Sequence, residues 1–218
     1  MPQHYLDPAD PNFSGVCAPG GPMAPHVRLF GRYPDLSALV PGDLVLLSAT
    51  APSYLSRRVI AAQEHGGFAA ADARWHHAAV YVGNGRICEA TLGGVVASRI
   101  DRYVGTHRIR IRRDPHLRTM QGYEIAMQAL SRMRWYYSIW TLVRMALQSW
   151  RGFHDDPVGL RFASSRAVIC SMLYADAYSV VTQRVLGNAA GATPTPAFLS
   201  ATPTLEDVVC RWRALVGE

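Results

Sequence analysis

The sequence predicts an α+β fold in which a strand-rich first half precedes a helix-rich second half. Three observations carry this expectation. Between Asp43 and Ile111, short apolar or alternating runs are separated by glycine-containing turns. From Gln121 onward the apolar residues recur at helical spacing. Strand signals and helix signals are thus segregated along the chain, which favours an antiparallel sheet or barrel packed against helices over alternating βα units.

The elements follow in order. Residues 1–35, with Cys17-Ala18-Pro19-Gly20-Gly21-Pro22, read as an irregular N-terminal arm. The turn Val40-Pro41-Gly42 leads into Asp43-Leu44-Val45-Leu46-Leu47-Ser48, a strand whose unbroken apolar character implies burial on both faces. A short helix is expected from Tyr54 to Glu64, ended by His65-Gly66-Gly67. His77–Val82 and Arg86–Ala90 form two strands around Gly83-Asn84-Gly85, residue types that supply the positive φ a hairpin needs. Two further strands are expected at Val95–Ala97 and Arg108–Ile111. Helices are expected at Tyr123–Met133, at Tyr136–Ser149 and from Cys170 through Tyr178. A last helix is expected from Leu205 to Val216, with Thr202 or Thr204 as N-cap.

Composition narrows the class. A chain of 218 residues with 49% hydrophobic and 17% charged residues can build one domain with a real core, here residues 36–218. All 22 basic residues are arginines, which fits codon bias in a GC-rich genome better than a selected arginine role. The net charge of +6 favours anionic surroundings without specifying one. The densest basic run, His107-Arg108-Ile109-Arg110-Ile111-Arg112-Arg113, alternates as the polar face of a strand, and no nucleic-acid-binding motif accompanies it. Cys17, Cys88, Cys170 and Cys210 include no C-x-x-C pair, so neither a zinc knuckle nor a redox dithiol is expected, and a reducing compartment is the default. His4, His26, His65, His107, His116 and His154 lack metal-ligand spacing and read as surface or loop residues; no cofactor is implied. The N-terminus has neither the basic nor the apolar region of a secretory signal, and arginines interrupt the most hydrophobic stretch, so no transmembrane segment is expected.

A cysteine acts as a nucleophile in its thiolate form, which an imidazole or a helix N-terminus stabilises. Cys170 falls where the first turn of a helix is expected, where unpaired backbone N–H groups lower a thiol's pKa and can hold an oxyanion. His77 opens a strand beside His76, and alternation lets only one of the two face the cysteine; His76 is expected to point outward. Glu89, twelve residues on, returns on the second hairpin strand within cross-strand reach of His77, where a carboxylate would orient the ring. Cys88 should face the opposite way. The stretch Arg134–Arg151 is rich in aromatics and reads as a core helix along a cleft, or as a helix for a membrane surface or an acyl chain.

The segment His77-Ala78-Ala79-Val80-Tyr81-Val82-Gly83-Asn84-Gly85-Arg86-Ile87-Cys88-Glu89-Ala90 resembles the histidine hairpin of the circularly permuted NlpC-type papain-like proteins, a group that includes the lecithin retinol acyltransferase relatives. In that group the histidine precedes the cysteine, as His77 precedes Val168-Ile169-Cys170-Ser171-Met172-Leu173 here. Pro41–Leu46 resembles the strand before the histidine, and Thr195–Ser200 the closing segment, so the likeness spans about residues 38–208. Met172 and His76 depart from the residues common in bacterial relatives. The resemblance implies a permuted papain-like catalytic domain with Cys170 as nucleophile, His77 as base and Glu89 as the polar third residue.

Three functions follow as alternatives. The first is hydrolysis of an envelope amide, such as a peptidoglycan peptide, through a thioacyl intermediate. An enzyme of this kind without a signal peptide would be exported by a specialised secretion machinery as an antibacterial effector, with an immunity protein as a further partner. The second is lipid hydrolysis or acyl transfer of the lecithin retinol acyltransferase type. The third is a non-catalytic binding module on the same fold.

Overall fold

The computed structural model describes residues 4–18, 22–133, 136–137, 167–168, 170–186 and 194–216. In chain order the elements are β1 (Val16–Cys17), α1 (Pro25–Phe30), β2 (Arg32–Pro34), β3 (Leu44–Ala49), α2 (Tyr54–His65), α3 (Ala70–Ala73), β4 (His77–Gly83), β5 (Arg86–Thr91), β6 (Gly94–Arg99), β7 (His107–Arg113), α4 (Thr119–Ser131), β8 (Tyr136–Tyr137), β9 (Ala167–Val168), α5 (Cys170–Thr182), α6 (Pro196–Ala201), β10 (Glu206–Val208) and β11 (Trp212–Leu215). Short 3₁₀ turns cover Leu36–Ala38 and Ile100–Tyr103.

The fold is α+β. Its centre is an antiparallel six-stranded sheet in the order β10-β7-β3-β4-β5-β6. The sheet is open, with β10 and β6 at its edges. β3 lies inside it, and its four leucine and valine side chains are fully buried, as a run apolar on both faces requires. Alternation sends Leu44, Leu46, Ala78, Val80, Cys88 and Ala90 to one face, under Ile125 and Ala129 of α4 and Leu173, Tyr174 and Tyr178 of α5. Val45, Leu47, Ala79, Tyr81, Ile87, Ile109 and Ile111 face the other way, under Val27, Phe30 and Trp212. The β4–β5 turn has Gly83, Asn84 and Gly85 at φ of 96°, 51° and 68°, the left-handed conformations that two glycines and an asparagine tolerate. The Pro41-Gly42 turn presses on α4: Gly42 is at φ +93°, and a Cβ there would stand 2.4 Å from the Gly122 carbonyl oxygen.

Several sequence expectations are corrected. The segment before residue 36 is not irregular throughout. It contributes β1, α1 and β2, Val27 is fully buried, and Leu6 bridges Ile109. The expected helix over Leu205–Val216 is instead β10 and β11. Leu205, Val208, Trp212 and Leu215 fit a helical period, but pairing along the free edge of β7 and alongside β2 satisfies the backbone while Trp212 enters the core. The arginines of β7 do lie on a strand, and two of them are buried. Arg110 and Arg112 are 4% and 6% exposed. Arg110 forks onto Asp207 with Nε–Oδ1 2.6 Å and Nη2–Oδ2 3.1 Å. Arg112 donates to the carbonyls of Leu199, Ser200, Thr202 and Leu205, closing the C-terminal end of α6. Tyr136 and Tyr137 are extended and pair with Ala167–Val168, where a helix was expected to begin. The rest of the expected Tyr136–Ser149 helix and of the aromatic stretch lies outside the described residues.

Candidate functional site

The hairpin sets the first two residues of the site. Glu89 stands opposite Ala79 across the β4–β5 ladder, which puts it diagonal to His77 and on the same face. His77 Nε2 and Glu89 Oε2 are 2.7 Å apart, and the Glu89 side chain is wholly buried. Cys88 faces the opposite layer, as expected, with its thiol 3.4 Å from the Ala129 carbonyl; burial pushes that thiol up to about 12.

α5 brings the third residue. Its first residue, Cys170, is 6% exposed and lines one cleft with His77, and the His77 ring and the backbone amides of Ala78 and Ser171 act on its thiol. With Nε2 held by Glu89, Nδ1 is the ring nitrogen left for the cysteine. Ser171 donates to the Pro194 carbonyl at 2.6 Å, which fixes the start of the helix. The charges sustain each other. Burial opposes a charged His77, yet Cys170 and Glu89 outweigh it and raise the imidazole to about 10. Burial likewise opposes a Cys170 thiolate, and His77 with the two backbone amides overcomes it, holding the thiol below its ordinary value. Glu89 is held at about 2, its burial outweighed by hydrogen bonds and charge from its neighbours. The three groups thus each favour the charged form of their neighbour.

Four residues that the sequence did not single out for the site surround this series. Tyr103 donates a 2.5 Å hydrogen bond to Glu89 Oε2, and Arg102 Nη1 lies 3.4 Å from Oε1 and 3.2 Å from Ser98 Oγ. His76 is not outward-facing: its Nε2 accepts the Ala49 N–H at 2.9 Å, and burial lowers it to about 4. His107 is no surface histidine either. It packs edge-on against Tyr103 at 4.9 Å and is lowered, chiefly by burial, to about 4. The signal that could have found Tyr103 and Arg102 is weak. They sit in an aperiodic 3₁₀ turn, and only the β5–β6 hairpin that precedes it carries them back to Glu89.

A cleft of about 510 Å³ opens on this group, bounded by Ser53, Leu55, Ser56 and Val59 of the α2 end and by Thr91 and Leu92 of the β5–β6 turn. Gln63, buried in α2, ties that wall to the rest. It donates to the Ala73 and Trp75 carbonyls at 2.8 and 3.0 Å and accepts the Ala197 N–H at 2.8 Å. Among the described residues no group of three or more His, Cys, Asp or Glu side chains is placed to hold a metal ion. No described helix is long and apolar enough to cross a membrane.

No family model matches the chain, and no curated protein sequence matches it. A solved structure does: the crystal structure of the metalloprotein YiiX from Escherichia coli O157:H7, of the group DUF1105. The two are 14% identical with a TM-score of 0.54, over 78% of this chain and 96% of that one. The chain is similar to that protein in fold.

Proposed function

We propose that this protein is a thiol hydrolase with a permuted papain-like catalytic domain, acting on an acyl bond through Cys170. The observation that carries the reading is the unbroken series from Cys170 to His77 to Glu89 at the edge of a cleft. The Cys170 thiolate attacks the substrate carbonyl carbon. The carbonyl oxygen takes the displaced electron pair and is held by free N–H groups of the first turn of α5. As the tetrahedral species collapses, the bond to the leaving group breaks and His77 gives that group its proton. Water then attacks the thioester with His77 accepting its proton, the bond from carbon to Cys170 Sγ breaks, and the acid leaves as the thiolate and imidazolium are restored. Glu89 keeps the ring oriented and its charged form favoured. The likeness to a protein described as a metalloprotein is a likeness of fold, and no step here is routed through a metal.

The leading substrate is an envelope amide such as a peptidoglycan peptide, supported by the resemblance of residues 77–90 and 168–173 to NlpC-type enzymes. A lipid acyl bond is the second reading, favoured by Leu55 and Leu92, which rim the cleft at 45% and 64% exposure. Incubation with purified peptidoglycan and with phospholipid vesicles, followed by mass spectrometry, separates them. Release of stem-peptide fragments supports the first; fatty acid release with an intact wall replaces it with the second. Products that persist undiminished in a folded Cys170→Ala variant would count against Cys170 as the nucleophile, and no product with either substrate would favour a binding module.

A further inference from the structure

The polar surface of the cleft is unevenly charged. Among the described residues that border it there is no aspartate or glutamate, and Arg102 is the one arginine. His76 and His107 border it as neutral rings at physiological pH, since burial holds both near 4. The Arg102 side chain is 55% exposed, and its contacts with Glu89 and Ser98 both run through Nη1. Nε and Nη2 have no hydrogen-bond partner among the described residues, and the guanidinium carbon stands 5.4 Å from the Tyr103 ring centroid. The head of the guanidinium fork is thus presented to the cleft beside the carboxylate that steadies His77.

The unused donors, rather than a charge imbalance at the nucleophile, give this cation a use. His77 favours the charged forms of Cys170 and Glu89, and Arg102 lies on the other oxygen of Glu89. Forming the thioester removes the negative charge of the sulfur while His77 gives its proton to the leaving group, so the charges of the site itself stay in balance. A negative charge on the substrate would therefore be met by the unused donors of Arg102, beside a described cleft border that carries no acid. A single planar fork matches a carboxylate, whereas a phosphate dianion calls for more than one cation or a nest of amides.

We propose that Arg102 is an anion-recognition residue of the cleft, selecting acyl substrates that bear a carboxylate close to the scissile bond. The inference rests on the reading of Cys170 as the nucleophile, and its test needs no identified substrate. Iodoacetate and iodoacetamide are nearly isosteric, and each alkylates a thiolate by displacement of iodide, forming the same Sγ–C bond. They differ in one carboxylate. The quantity read is the ratio of their rates at Cys170, followed by intact-protein mass spectrometry at pH 7 and low salt, so that a general change in thiolate reactivity cancels.

Replacing Arg102 by Gln is expected to lower the iodoacetate-to-iodoacetamide ratio about fivefold or more, from the loss of one nearby charge in a partly screened site. Arg102→Lys, which keeps the charge, is expected to retain at least half of the wild-type ratio. A ratio unchanged within twofold in Arg102→Gln, or an equal fall in both variants, would overturn the assignment. Protection of Cys170 from iodoacetamide by inorganic phosphate at lower concentrations than acetate would overturn the choice of carboxylate. If neither reagent modifies wild-type Cys170 at pH 7, the reading of Cys170 as nucleophile fails instead, and the two failures are told apart by that control.

Discussion

Replacing Glu89 by Gln keeps the side chain's shape and removes its charge. The carboxylate meets the His77 ring nitrogen at 2.7 Å with its own side chain fully buried. Two unit charges about 4 Å apart at an effective dielectric of 20 attract by about 4 kcal/mol. Tyr103 and Arg102 already draw on the same carboxylate, so we assign about half of that, ~2 kcal/mol, to the imidazolium. Losing it favours the neutral ring, and the proton returns to Cys170. The thiol then stays protonated to higher pH, and alkylation at pH 6 is expected to slow about 30-fold, the equivalent of ~2 kcal/mol. The assay is the iodoacetamide rate at Cys170 between pH 4 and 10, with circular dichroism confirming the fold. A rate at pH 6 within twofold of wild type, with an unmoved onset, would refute the electrostatic role of Glu89.

Further outcomes are expected elsewhere. Tyr103→Phe removes the 2.5 Å hydrogen bond to Glu89 and should shift the same onset upward by less than Glu89→Gln does, with a rate loss of about threefold to tenfold at pH 6. The His77–Glu89 pair also links stability to pH. Glu89, held at about 2 rather than 4.5, contributes stability above 4.5 and loses it as pH falls through 2; His77, raised from 6.5 to about 10, contributes below 6.5 and loses it as pH rises through 10. The urea midpoint gap between wild type and Glu89→Gln should therefore be widest at about pH 4.5–6.5 and narrow on both sides. Asp207→Asn leaves the buried Arg110 guanidinium without its bidentate partner and should cost about 3 kcal/mol in urea unfolding. Gly42→Ala forces a side chain into a positive-φ site against the Gly122 backbone and should cost about 2 kcal/mol or more by the same measurement.

The hairpin and the nucleophile helix could be read from the sequence because their signals are local. Alternation over His77–Ala90 and the glycine–asparagine turn set which residues share a face, and the face then joins His77 to Glu89. The remainder of the site depends on distant parts of the chain meeting. Tyr103 and Arg102 lie in a 3₁₀ turn with no periodicity, and His107 reaches the cleft because β7 pairs with β3. The polar face of β7 is legible in its alternation, but its burial is not, because the acid that receives Arg110, Asp207, is 97 residues away. The C-terminal segment went astray for a related reason. Its apolar spacing suits a helix, and only the unpaired edge of β7 makes a strand the better partner.

The central claim is that Cys170 rests as a thiolate beside an imidazolium, and ultraviolet titration of the thiolate near 240 nm tests it directly. Burial raises Cys88 and Cys210 to about 12 and Cys17 above its ordinary value, so near neutral pH the signal belongs to Cys170. The difference between wild type and Cys170→Ala should show one thiolate already present at pH 7. A difference that appears only as pH rises past 9, the ordinary thiol value, would contradict the account.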